Sequence, residues 1–435
     1  MQKKLIAVAV AGALGAPAVA LAQNATVNMY GTMYFEYSSV DQGRTQGTTT
    51  NIPAGTNPGN EIVRTDLLQN PGSNIGFRGE EKLGSGLSAW FQCESSADYR
   101  GTGTSGFCSR NSAIGLKGGF GNVFAGIWDT PMKRVTSDMI GAAKAGGDTG
   151  IYGNANIVFG GSTGTNTTSG AGANQATFRR RQTNLITYDT PNFGGFSASG
   201  AFTTGNPSTA ALEGSSGNKP RIWSLSAQYK NGPLNIYGAY ERHKDITGTT
   251  LAGNGNGLGG ITPNPLRPGS DTGWVVGGSY VFANNLKLGG LYTRQRWEQG
   301  ANSIVPFGPI DARVNAYYLA LDWMISGPHG VRASWGSARD VTGTFIPLAG
   351  NPVFAGANPG VVGAPPVIRP GIGSGTGANI WQIKYVHVLS KRTQATLGYV
   401  RLDNKQYANY NLTGTSANGT GQDQQAVALT LYHTF

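Results

Sequence analysis

Two cysteines, four histidines and two clusters of oppositely charged residues are the side chains of this chain whose chemistry bears on function. Cys93 and Cys108 stand 15 residues apart and flank the polar stretch ESSADYRGTGTSGF. In an oxidising compartment a disulfide across the mouth of that hairpin is the expected state, closing a loop worth roughly 3 kcal/mol in the chain-entropy model. Free thiols are the alternative, and no histidine stands near enough in sequence to suggest a metal pair. His243, His329, His387 and His433 each lack an evident nucleophile and acid partner, and no G-x-S-x-G, H-E-x-x-H or phosphate-loop motif occurs. The sequence therefore points away from catalysis and calls for no metal and no cofactor. The charge clusters are different in kind. FRRRQTNLITYDT carries Arg179, Arg180 and Arg181, and the stretch 129–148 sets Asp129, Asp138 and Asp148 against Lys133, Arg134 and Lys144. Three acids against three bases leave no acidic cluster. Fixed charges of this sort act on passing ions through their field rather than by bond making. The remaining basic residues are scattered over strand-like runs and do not gather with aromatics on one face, which argues against a nucleic-acid partner.

The elements that must position these residues alternate with a period of two. In VNMYGTMYFEY, Val27, Met29, Met33, Phe35 and Tyr37 share one face, and Asn28, Tyr30, Thr32, Tyr34 and Glu36 the other. One face suits lipid and the other water. The same rhythm recurs at 73–83, 87–94, 109–118, 122–129, 178–190, 195–204, 221–230, 233–243, 273–282, 286–298, 312–326, 331–341, 379–390, 393–403 and 424–435, which makes sixteen runs with the first. Every second connection is tight, such as KNGP, FANN and SGPHG. The intervening ones at 41–72, 130–177, 244–272, 342–378 and 404–423 are long and polar. That asymmetry is expected of an outer-membrane barrel with short periplasmic turns and longer external loops. A soluble β-sandwich alternates too, but would not divide short from long connections so consistently or turn its greasy face outward. The expected fold is all-β, a transmembrane antiparallel 16-stranded β-barrel occupying residues 23–435.

Residues 1–22 carry Lys3 and Lys4, an apolar run from Leu5 to Gly15, Pro17 and a small-x-small end at Ala20-Leu21-Ala22, the pattern of a cleaved secretory signal. A membrane helix is the rival reading of that segment, opposed by Pro17 and the cleavage pattern. Removing it takes away two lysines and no acid, so the formal charge falls from +11 to +9. The chain runs in strand rhythm to Phe435, and a strand at that position must be paired if it is not to fray. In SNIGFRGEE, Ile75 and Phe77 take the outward phase and place Arg78 in the lumen. Arg110 falls in the outward phase of Ile114 and Leu116, so its side is open. Three consecutive arginines send at least one side chain inward whichever phase holds, with one of Arg179 and Arg180 snorkelling at the rim. Thr130 suits an N-cap, Pro131 the first helical turn, and Met132, Val135, Met139, Ile140 and Ala143 recur at helical spacing. Trp223, Tyr229, Trp274, Tyr280, Trp323 and Trp335 share phases with lipid-facing aliphatics and read as girdle residues.

Taken in order, AIGLKGGFGNVFAGIWDTP at 113–131, YDTPNFGGFSAS at 188–199, LSKRT at 389–393 and the terminal LYHTF make the mature chain resemble the general diffusion porins of Gram-negative outer membranes, the β-proteobacterial type above all. The resemblance implies a homotrimer of sixteen-stranded barrels in contact with outer-membrane lipid and lipopolysaccharide. It also implies passive diffusion of small hydrophilic solutes and ions, a third external loop folded into the barrel, and a C-terminal aromatic, Phe435, read by the barrel-assembly machinery. In such porins wall arginines oppose acids on the inward loop. Carried onto this sequence, the constriction comprises Arg78, Arg110, Arg181, Asp129, Lys133, Arg134, Asp138 and Asp148. Asn74 stands where the family often has a further arginine. With the loop acids offset by bases, the balance favours anions. A substrate-selective channel with a lumen binding site is the alternative.

Overall fold

Alternation of side chains decides which face of each strand meets what. On the first strand Val27 and Met29 are 56% and 59% exposed, whereas Tyr34, Glu36 and Ser38 on the other face are buried. The computed structural model describes residues 26–43, 64–101, 106–140, 155–159, 178–204, 221–244, 269–283, 285–299, 307–347, 374–406, 408, 410–412 and 421–435. Residues 1–22, expected from the sequence to be a secretory signal, and most of the long connections lie outside these residues.

The strands are β1 (Thr26–Asp41), β2 (Arg64–Gln69), β3 (Asn74–Gly84), β4 (Leu87–Ser96), β5 (Ser112–Gly118), β6 (Gly121–Asp129), β7 (Arg181–Asp189), β8 (Phe196–Thr203), β9 (Arg221–Asn231), β10 (Leu234–Lys244), β11 (Ser270–Val281), β12 (Leu286–Gln299), β13 (Phe307–Ser326), β14 (His329–Ala338), β15 (Thr342–Pro347), β16 (Ala378–Ser390), β17 (Thr393–Asn404) and β18 (Gln424–Thr434). All pairings are antiparallel and β18 returns to β1, so the sheet closes. Eighteen segments occupy sixteen barrel positions, because two positions are interrupted. Both β2 and β3 pair with β1, the first with Glu36 to Asp41 and the second with Thr26 to Thr32. The break falls at Pro71, which has no N–H to give a ladder. Ser73 repairs it, its Oγ accepting the Tyr34 N–H at 2.8 Å. Likewise β14 and β15 both pair with β13. The alternating run expected over 331–341 therefore ends at Ala338, and the connection expected from 342 opens as a strand. The run expected from residue 178 begins instead at Arg181.

At the seam, Phe435 lies just beyond β18 and exchanges two backbone bonds with Gly31, its carbonyl accepting at 3.3 Å and its N–H donating at 3.2 Å. A Cβ on Gly31 would lie 2.4 Å from the Phe435 ring, so the absent side chain is what lets the ring lie on β1. Cys93 shares the outward phase of Phe77 and forms a disulfide with Cys108. Replacing both by serine should lower the temperature at which the barrel unfolds, by an amount corresponding to about 3 kcal/mol, without preventing closure. Heat-modifiable gel mobility under non-reducing conditions checks this, and an unchanged transition would mean that the loop is already ordered without the bond.

The described parts of the third external connection, 130–140, 155–159 and 178–180, lie inside the barrel. Helix α1 (Pro131–Ile140) packs on the inner wall of β9 and β10, and the single turn α2 (Ala155–Val158) on that of β13 and β14. Met132, Val135, Ile157 and Val158 are buried against inward side chains such as Tyr237, Val275 and Tyr318, so the apolar core sits inside the barrel on one side of the passage.

Candidate pore constriction

The inward segment is fastened to the wall from its first turn. The Thr130 carbonyl accepts the Arg134 N–H at 3.0 Å, so Thr130 occupies the N-cap position. Its hydroxyl, however, finds no partner among the described residues. The Met132 N–H donates instead to Ser224 Oγ of β9 at 3.2 Å, so a wall residue satisfies the donor that the cap leaves open. The returning chain is tied to the same helix. Arg179 takes a left-handed φ of 62° and its Nε donates to Thr136 Oγ1 at 2.9 Å, with the guanidinium 5.5 Å from the centre of the Phe159 ring.

Charges surround this segment in three groups. Arg78 pairs in register with Asn28, on the inward phase of β1, and its guanidinium lies 5.2 Å from the Tyr30 ring centre. The Tyr30 hydroxyl donates to Glu94 Oε2 at 3.1 Å, and Arg110 Nε donates to Glu94 Oε1 at 2.6 Å. Asp129 accepts from Arg181 Nε at 3.0 Å and pairs with Lys133 at 3.2 Å, while Arg181 Nε also reaches Asn111 Oδ1 at 2.7 Å. Arg134 forms a bidentate pair with Asp189 at 2.7 and 2.9 Å, donates to Ser199 Oγ, and lies over the Phe124 ring. Burial pushes the Arg180 guanidinium, which lies ahead of β7, down to about 10, against the pull of Glu241, and it stays charged at neutral pH.

The structure thus brings Arg78 and Arg110 together, and separately Asp129, Lys133 and Arg181. Parity leaves the side of Arg110 open because residues 106–111 precede the β5 ladder; Glu94 is what holds its side chain. Asp129, counted with the loop acids, is the last residue of β6. Neither Arg179 nor Arg180 snorkels at the rim, for both precede β7 and are buried at 9% and 7% exposure. The side chain of Asp138 and all of Asp148 and Lys144 lie outside the described residues. Sequence reasoning misses Tyr30, Glu94 and Asp189 as partners of these bases. It also misses the contact of His243 Nε2 with Glu241 Oε1 at 2.9 Å, although residues two apart on a strand share a face. A further omission is the inward aromatic group Trp90, Phe124 and Trp128, whose rings lie 5.2–5.9 Å apart. Trp90 and Phe124 meet over Gly115, where a Cβ would come within 2.8 Å of both side chains.

The model of the Gram-negative porin family matches residues 7–407. The chain is 30% identical over 252 residues to the major outer membrane protein P.IB of Neisseria gonorrhoeae, across 57% of this chain and 59% of that protein. It is also 30% identical over 253 residues to P.IB of Neisseria lactamica, across 58% and 62%. The matched region spans about three fifths of the length of these relatives. Among solved structures, the anion-selective porin from Comamonas acidovorans superposes with a TM-score of 0.63 at 22% identity, covering 95% of this chain and all of that one. The outer membrane protein OmpT of Vibrio cholerae gives 0.56 at 12% identity, covering 97% of this chain and 100% of that one. A closed barrel with a greasy outer face and a loop folded into a charged lumen agrees with a family match running through nearly the whole chain, and this chain belongs to the Gram-negative porin family.

Proposed function

We propose that the chain forms a water-filled channel in the bacterial outer membrane for passive diffusion of small hydrophilic solutes and ions, with a preference for anions, and that it works as a homotrimer after removal of residues 1–22. One observation carries the anion preference. Glu94, Asp129 and Asp189 are each bound by arginine or lysine, whereas Arg78 stands on the inner wall outside any ion pair among the described residues. The local balance is positive, and a narrow passage with low-dielectric walls magnifies it. The constriction is assigned to Arg78, Arg110, Arg181, Asp129, Lys133 and Arg134, with Asp138 and Asp148 on the same loop. No catalytic role is assigned to any residue. In a planar bilayer the purified protein should insert as conductance steps with three equal sublevels, one per barrel. A single level per insertion would overturn the trimer and leave the channel standing.

The inward group Trp90, Phe124 and Trp128 favours a second reading, a lumen site that selects its solute. Under that reading an added solute blocks current with saturation, whereas under simple diffusion the block grows in proportion to concentration.

A further inference from the structure

Two of the four histidines, far apart in sequence, meet on the outer wall. Register places His329, the first residue of β14, directly opposite His387 of β16. Side chains two apart on a strand share a face, so Tyr385 stands beside His387 on the outward phase of Trp381 and Ile383. The imidazole ring centres lie 5.0 Å apart, and the Tyr385 ring lies 6.0 Å from that of His329 and 6.3 Å from that of His387. His329 and Tyr385 are exposed and His387 is half-buried. All three adjoin the tight turn SGPHG, at the end of the barrel away from the long connections. Proline at 328 fixes the backbone of that turn, and its carbonyl accepts the Val388 N–H at 2.8 Å, which ties the start of β14 to β16 beside the pair.

Three donor atoms of this group converge. Tyr385 Oη lies 2.5 Å from His329 Nδ1 and 3.2 Å from His387 Nδ1. A phenol carries one proton, so it donates to only one of these nitrogens, and the other must itself donate or turn its lone pair toward the same point. Nitrogen and oxygen ligands held at about 2.0–2.1 Å by one metal ion, in tetrahedral or square geometry, stand about 2.9–3.4 Å apart. The three atoms therefore reach a coordination triangle by small ring rotations, with no movement of the ladder that carries them. Donors on paired strands are pre-positioned for such binding. No carboxylate takes part, for among the described residues no three His, Cys, Asp or Glu side chains gather as a metal site. Imidazole nitrogens without a carboxylate suit copper and zinc, whereas calcium and magnesium need several oxygen ligands.

We propose that His329 and His387, with Tyr385 as third donor, form a binding site for a late first-row divalent cation, copper or zinc, on the outer wall at the tight-turn end of the barrel. Water fills the remaining positions of the ion. The site lies outside the lumen, so it stands or falls independently of which solutes the channel passes.

The test uses the protein purified in mild detergent without an affinity tag, stripped with a chelator and titrated with copper(II) chloride or zinc chloride, with bound metal per chain counted after dialysis. One ion per chain should bind, copper more tightly than zinc, and an excess of calcium or magnesium should not displace it. His329→Ala and His387→Ala should each weaken binding by at least tenfold, and Tyr385→Phe by about tenfold. His433→Ala should bind as the unmutated protein does, since His433, exposed at the same end, contacts only the Thr393 hydroxyl at 2.9 Å. The paramagnetic resonance spectrum of bound copper should show two coupled nitrogens, falling to one in either histidine variant. Heat-modifiable gel mobility shows that each variant still closes as a barrel, and the spectrum of the unmutated protein needs no variant at all. Absence of a bound ion, unchanged binding in either histidine variant, loss of binding in His433→Ala, or a copper spectrum without nitrogen coupling would overturn the proposal and leave a hydrogen-bonded triad only.

Discussion

Arg78→Glu should move the zero-current potential in a salt gradient further toward cations than neutralising any other base of the constriction. The other bases are already spent on acids, Arg110 on Glu94, Arg134 on Asp189, Lys133 and Arg181 on Asp129. Arg78 rests on the Tyr30 ring and is exposed to the lumen. Reversing it changes the local charge by two units. A unit charge about 4 Å from an ion is worth about 1 kcal/mol in water and about 4 kcal/mol near a protein surface. Even the lower figure changes relative permeability about fivefold per unit. The shift should shrink as salt rises, since the screening length falls from about 10 Å at 0.1 M to about 3 Å at 1 M. Arg181→Ala should give a smaller shift in the same direction, because Asp129 keeps Lys133, together with a rise in conductance as the side chain leaves the passage. A potential unmoved by Arg78→Glu would place the governing charges elsewhere.

Deleting Phe435 should sharply reduce assembled barrel in the membrane while leaving the chemistry of the lumen untouched. The deletion removes both backbone bonds to Gly31 and the ring that covers it. Two net hydrogen bonds and a half-buried aromatic ring amount to about 2–4 kcal/mol at the seam where the sheet closes. A recognition role in assembly predicts a larger loss than packing alone. Gly31→Val separates the two, since it expels the ring from β1 yet keeps the terminal aromatic. Under recognition, Gly31→Val assembles to normal levels and melts earlier, whereas the deletion fails to assemble. Equal loss of assembly in both would mean that packing suffices, and normal assembly of both would mean that Phe435 is dispensable.

Period-two alternation made the barrel legible, because a lipid-facing and a water-facing phase leave separate marks on every strand. The lumen side of Arg78 followed from Ile75 and Phe77 for that reason. Parity stopped working where the backbone left the ladder. Arg110 lies before β5, Arg179 and Arg180 lie before β7, and Pro71 breaks a barrel position in two. Partners across long separations were hidden as well. Ser224 caps a helix that begins 93 residues earlier at Pro131, and Asp189 anchors Arg134 from 55 residues away, contacts that no local spacing announces. Nor does a strand pattern tell which charge neutralises which: Arg134 on the helix pairs with Asp189 on the wall, a partner that no spacing in the sequence announces.

Anion preference is the central claim, and the reversal potential of the unmutated channel in a planar bilayer under a salt gradient tests it most directly. The charge balance around Arg78 predicts a potential of anion-selective sign that grows as the salt is lowered. A cation-selective sign would contradict it.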